Sequence, residues 1–325
     1  MIQVSDLHIQ AKTRLQEAYG DPKKIVLIHT AVALGCSLLL TGLLYLFDYW
    51  IANTGGLGGM GTRSVLTTIQ SILELVVMIL LPFWQLGIYR TALLWADGQR
   101  AYNSDLLHGF RRWIPSIKLL LMRTGLFLAF SLVVCYACAT VYLMTPFAAP
   151  IVEILEPMMQ PSLTPEQMQD MLTPEVMETL LQAMTPLLIL SGIVYAPLAV
   201  ILFYRLRFAD FGVMNGLAAG IAIKQSFIIT RKCNLWVFRL DLSMWWFYLI
   251  YVLSIVLSNM GSILPLLGVS LPVPDEVSVL VFYIIGILCQ GILLWRYEDH
   301  RLTAYALAYR TLDGTINGEN ENQQS

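Results

Sequence analysis

Glu74 is the residue whose type and place most invite chemistry. It stands about ten residues into the apolar run 65–90, hence roughly 15 Å deep in a bilayer at about 1.5 Å per residue. An ionisable group at that depth costs several kcal/mol to charge and is expected to face a partner or a wet cavity. Gln70 lies one turn before it and Gln85 three turns after, and with Thr67 they form a polar stripe on one helical face. The stripe predicts a proton- or cation-binding site whose carboxyl pKa is raised by desolvation. The alternative is a hydrogen-bonded acid that locks helix packing. A second set, Arg123, Arg205, Arg207, Arg239 and Asp241, gathers at one end of the apolar runs. Guanidinium forks there suit lipid phosphates; the plainer reading is an ion pair with arginines snorkelling to the headgroups. Arg239 and Asp241 face about 200° apart on an α-helix, so the expected partner of Asp241 is Arg123 or Arg205.

Other chemistry is harder to find. His8, His29, His108 and His300 have no His, Cys or acid at the spacing a metal site needs, and no metal or cofactor site is predicted. The sequence carries no HExxH, GxxxxGK[ST] or G-x-S-x-G. Cys135 and Cys138 make a CxxC, but within a run of small and apolar residues, where helix packing explains them. Met168, Met171, Met177 and Met184 have the soft thioethers that bind Cu(I), yet their spacing with Leu172, Leu180 and Leu181 is that of an apolar stripe. A net charge of −2 gives no reason to expect a nucleic-acid partner.

The elements that position these residues are membrane spans. The chain is 57% hydrophobic and 13% charged, with mean hydropathy +0.66, against about 25% charged residues in soluble domains. A bilayer core takes about 20 apolar residues per helix. Six runs qualify, at 25–47, 65–90, 117–144, 187–206, 235–258 and 277–296. All of the twenty Lys and Arg residues except Arg63 fall at every second gap between them. Basic flanks stay on the cytoplasmic side, so both termini are expected there. Residues 1–24 are polar and the run after them lacks a cleavage site, which reads as an anchor rather than a signal peptide. Thr164-Pro-Glu and Thr173-Pro-Glu predict two short amphipathic helices in the outer loop 145–185. On the basic side, Leu106–Trp113, Leu217–Thr230 and Trp295–Leu312 read as interfacial helices against anionic lipid. The polar segment 313–325 reads as a disordered tail.

Residues 222–247 add a family likeness. Ala222, Ile223 and Ser226, then Phe238, Leu240, Asp241, Leu242, Ser243 and Trp245, resemble the bacterial membrane family called domain of unknown function 975. That family shows an Ala-Ile-x-x-Ser helix, a polar turn, and Phe-x-Leu-Asp-Leu-Ser before a Trp-rich span. The turn here is Lys232-Cys233-Asn234, without the family's glycine, and Met244 stands where Phe is common. Looser likeness reaches Asp105, Gly109 and Phe110, and Ala304, Tyr305 and Tyr309. The resemblance implies a polytopic protein of the bacterial cytoplasmic membrane and implies no activity.

These readings converge on an all-α bundle of six spans. The leading expectation for function is a non-enzymatic binding, transporter-like or accessory subunit centred on Glu74. The alternatives are an inner-leaflet enzyme or lipid-binding protein using Asp241, His29 and the arginines, or a structural partner of another membrane protein or of a second copy.

Overall fold

The computed structural model describes residues 3–18, 21–53, 59–158, 173–266, 268 and 275–324. Its elements are α1 (Val4–Glu17), α2 (Pro22–Asn53), α3 (Gly59–Ala96), α4 (His108–Arg111), α5 (Trp113–Leu143) and α6 (Ala149–Met158). There follow α7 (Pro174–Leu206), α8 (Ala209–Met214), α9 (Ala219–Ser243), α10 (Trp245–Ser258), α11 (Met260–Leu266) and α12 (Asp275–Gln324). No strand occurs among the described residues. Five helices are long and apolar enough to cross a membrane, or six if the bent pair Leu235–Ser243 and Trp245–Ser258 counts as one span.

Local chemistry sets several boundaries. Asp21 accepts the Lys24 N–H at 3.2 Å and Pro22 opens α2, the arrangement of an N-cap followed by a proline that needs no donor. Thr173 accepts the Val176 N–H at 3.3 Å, with Pro174 first in α7. That helix is not the short one expected: it continues through Pro186 and Pro197 to Leu206. The expected helix after Thr164 lies outside the described residues. The helix at Leu106–Trp113 is likewise revised, because a 3₁₀ turn (Asn103–Leu107) leads into α4 and Trp113 already opens α5.

Two further expectations change. The run 235–258 is broken at Met244 (φ −112°, ψ 23°) and bends by 67°. Ser243 turns its hydroxyl onto the Leu240 carbonyl at 2.6 Å, a local bond that competes with the helical ladder. Trp295–Leu312 is no separate interfacial helix but the continuation of α12. Tyr305 and Tyr309 within it are almost fully buried with Trp95, Phe208 and Phe211, so its aromatic face makes a protein core, not a lipid contact. The same helix continues to Gln324, through the polar residues from Asp313 on.

The chain divides into two compact units, Met1–Leu120 with Arg207–Ser325, and Leu121–Leu206. In the first, α12 is the central helix and packs on α1, α2, α3, α10 and α11. A Cβ on Gly286 of α12 would meet the Ser258 backbone at 2.6 Å, so only glycine allows this approach. At the basic end, Arg310 makes a fork to Asp97 (2.9 and 2.5 Å) and reaches Asn215 at 2.8 Å. Arg112 donates to the carbonyls of Val213 at 2.6 Å and Gly216 at 2.9 Å. In the second unit, α6 packs on α7: Tyr142, Ala148 and Ile151 meet Leu180, Ala183, Met184 and Leu187. Tyr142 Oη lies 2.9 Å from the Phe147 carbonyl and 2.6 Å from that of Ala183, two acceptors for its one proton.

Candidate functional site: a polar cavity among four helices

α12 presents Tyr283, Ile287, Gln290, Leu294, Glu298 and Arg301 at three- and four-residue spacing, hence on one face. That face lines a cavity of about 440 Å³ in the first unit, together with residues of α2, α3 and α10. From α2 come His29, Thr30 and Ser37, from α3 Gln85, and from α10 Tyr248, Tyr251 and Ser258. The volume falls in the lower part of the roughly 300–1,000 Å³ range of small-ligand sites. Thr41 and Tyr283 share a hydrogen bond at 2.8 Å beside it.

Of the charged groups, Glu298 and Arg301 line the cavity and neutralise each other, and Arg207 and Asp241 lie behind its Tyr248. Arg301 forks onto Glu298 through Nε at 2.7 Å and Nη2 at 2.6 Å, and lies over the Phe247 ring at 5.1 Å. Asp241 accepts from Arg207 at 3.1 Å and from Tyr248 at 2.8 Å. Tyr248 and Tyr305 share a further bond at 2.9 Å, and the Arg207 guanidinium sits 4.3 Å above the Tyr305 ring. Two cations therefore meet two anions, each pair in contact. What the cavity offers a guest is hydrogen bonding without net charge.

Two polar atoms are left over. His29 Nε2 and Thr30 Oγ1 are buried and find no hydrogen-bond partner among the described residues, although both residues line the cavity. The His29 ring is held by stacking on Trp84 (centroids 5.8 Å, planes 3° apart), and Trp84 Nε1 donates to the His29 carbonyl at 3.0 Å. A buried polar atom without a partner costs about 1–3 kcal/mol. The stacked ring thus leaves one nitrogen without a partner among the described residues at the cavity wall.

The sequence-derived candidates are distributed differently from expectation. Gln85 lines the cavity, but Glu74 and Gln70 do not. Gln70 lies 3.4 Å from the Glu74 carboxylate, and Glu74 is exposed among the exposed Leu75, Val76 and Met78. Glu74, expected near the bilayer midplane facing a partner or a wet cavity, stands on an exposed face of α3. Asp241 pairs with Arg207, a partner the sequence reading did not name. Arg123 and Arg205 belong to the second unit, where Arg123 stands over the Phe203 ring at 5.9 Å. Arg239 is exposed while Asp241 is buried. No hydrogen bond joins Asp241 to His29 among the described residues. Glu298, Arg301 and Gln290 were missed, although their periodicity with Tyr283 was available in the sequence.

None of the five cysteines forms a disulfide, and no group of three His, Cys, Asp or Glu is placed to hold a metal among the described residues. No family model, curated protein or solved structure matches the chain.

Proposed function

We propose that the protein is a six-span protein of the bacterial cytoplasmic membrane, with both termini in the cytoplasm, that binds a small polar solute in this cavity in a transporter-like role. The six spans count the bent pair α9–α10 as one crossing. The orientation rests on the segregation of Lys and Arg, which all but Arg63 obey. The bacterial assignment rests on the resemblance of residues 222–247 to domain of unknown function 975.

One observation carries the binding role: a hydrogen-bonding cavity without net charge, lined by the unpartnered His29 Nε2 and Thr30 Oγ1, inside helices otherwise apolar. Polar groups within membrane helices mark substrate and ion pathways. Because both ion pairs are closed, the favoured guest is neutral or zwitterionic. Gln85 and Gln290 each bring an amide that both donates and accepts. A panel of neutral, zwitterionic and singly charged small solutes, read by the thermal midpoint of purified protein, tests this. Neutral or zwitterionic solutes should raise the midpoint, and Gln290→Leu or His29→Phe should remove the rise. Stabilisation by charged solutes alone, or a rise unchanged in both variants, would contradict the assignment.

The outward Glu74 supports a second, compatible role. A carboxyl on an apolar exposed face favours cover by a partner membrane helix or a second copy, since an acid left in lipid is costly.

A further inference from the structure

A second constellation, whose pocket shares Phe247 and Arg301 with the cavity, lies where α1 meets α9 and α12. His8 Nε2 is 2.7 Å from Ser243 Oγ. His8 Nδ1 is 3.0 Å from His300 Nε2, with the two rings 5.2 Å apart and 17° from parallel. A hydroxyl, a base in hydrogen-bond reach and a third group on the base's other nitrogen are the geometric signature of an activated nucleophile. We propose that Ser243, His8 and His300 form a hydrolytic relay that cleaves a carboxylic ester carried by a membrane lipid.

The tautomers decide whether the relay can work. If His300 Nε2 accepts from His8 Nδ1–H, His8 Nε2 is bare and faces the Ser243 hydroxyl, the state a general base needs. Burial lowers the pKa of His8 below its ordinary value, which keeps the ring neutral and able to take a proton. Ser243 Oγ also lies 2.6 Å from the Leu240 carbonyl, so its proton has two acceptors and the resting hydroxyl can turn either way. Placement of Ser243 as the last residue of α9, at the 67° bend, leaves it exposed.

Two spaces meet at this serine. One is a pocket of about 160 Å³ that His8, Ser243 and His300 line together with Trp246 and Arg301. The other is an open groove along α1 and α9 that includes Leu235, Trp236, Arg239 and Leu242. Leu235 is 77% exposed and Leu242 56%, an apolar track for an acyl chain, with the exposed Arg239 beside it for a headgroup phosphate. Arg301, which uses two N–H groups on Glu298, is the cation among the residues that line the small pocket.

The reaction balances without a further reagent. Ser243 Oγ adds to the ester carbonyl carbon as its proton passes to His8 Nε2. The tetrahedral adduct expels the alcohol oxygen, which takes that proton, and an acyl-serine remains. Water then adds to the acyl carbon, its proton passing through His8 to Ser243 Oγ as the carboxylic acid leaves. Ser243 and His8 are the catalytic residues and His300 the positioning residue.

Fluorophosphonate labelling of the full-length protein in its membranes tests the proposal. The expected result is a label on Ser243, absent in Ser243→Ala and at least tenfold slower in His8→Gln and His300→Phe. His300→Asn, which keeps an acceptor for His8 Nδ1–H, should recover most of the rate; equal loss in both His300 variants would remove His300 from the relay. A hexadecyl fluorophosphonate should react at least tenfold faster than a methyl one, and equal rates would overturn the lipid assignment. If the three groups only staple α1 to the bundle, wild-type protein stays unlabelled, or the label persists in Ser243→Ala, and the proposal falls.

Discussion

At the residue scale, the buried charges of the first unit cancel one another in pairs. Glu298 and Arg301 are almost buried, with side chains 10% and 17% exposed, and their two short bonds leave each little reason to separate. Removing one partner of such a pair strands the other, at a cost of about 3–5 kcal/mol, whereas replacing both by apolar residues is often neutral. Glu298→Leu and Arg301→Met should therefore each lower stability in detergent by about that amount. The double variant should recover most of it. A double-mutant cycle measured by thermal or denaturant unfolding checks this, and additive losses would mean that the pair does not act as a unit. The sequence made this site hard to see for a physical reason. Arg296, Glu298, Asp299, His300 and Arg301 crowd into six positions and read as the exit from the bilayer. In the fold they are absorbed internally: Lys23 meets Asp299 at 2.7 Å, Arg301 meets Glu298, and His300 meets His8. Glu74 misled in the opposite sense, since depth along a helix is legible in sequence but the direction a face turns is not.

At the element scale, close helix approach decides what can be changed. A Cβ on Gly87 of α3 would fall 1.8 Å from the Leu106 carbonyl oxygen, and one on Gly35 of α2 would meet nothing within 4 Å. Gly87→Ala must push the turn before α4 away from α3, and overpacking of this kind costs typically 1–3 kcal/mol. Gly35→Ala should be neutral or slightly stabilising, because alanine is the better helix former by about 1 kcal/mol. Side-by-side thermal midpoints of the two variants test the contact, and an equal response would contradict it. The apolar spans were legible here because their lengths and compositions are set by the bilayer. The 67° break at Met244 was not, since nothing in Ser243-Met244-Trp245 forbids a helix and the turn depends on where the Ser243 hydroxyl finds its acceptors. Asp241 shows the same limit: its partner, Arg207, stands two residues beyond the one expected, and only the packing of α8 and α9 brings it into reach.

At the scale of the whole molecule, the first unit gathers the cavity, both ion pairs and the Ser243–His8–His300 contact around α12. A membrane protein with this arrangement needs water or solute to reach groups deep among apolar helices. The most direct measurement is the reactivity of single cysteines toward an impermeant, charged thiol reagent in membranes, with the five native cysteines replaced. Ser37→Cys and Gln290→Cys line the cavity and should react, whereas Ile292→Cys, on an outward face of α12 that is 64% exposed to its surroundings, should stay unreacted in lipid. A solute that binds should slow the first two without affecting labelling elsewhere. Unreactive cysteines at both Ser37 and Gln290 would contradict a solute-binding cavity, and the polar stripe of α12 would then be a packing device.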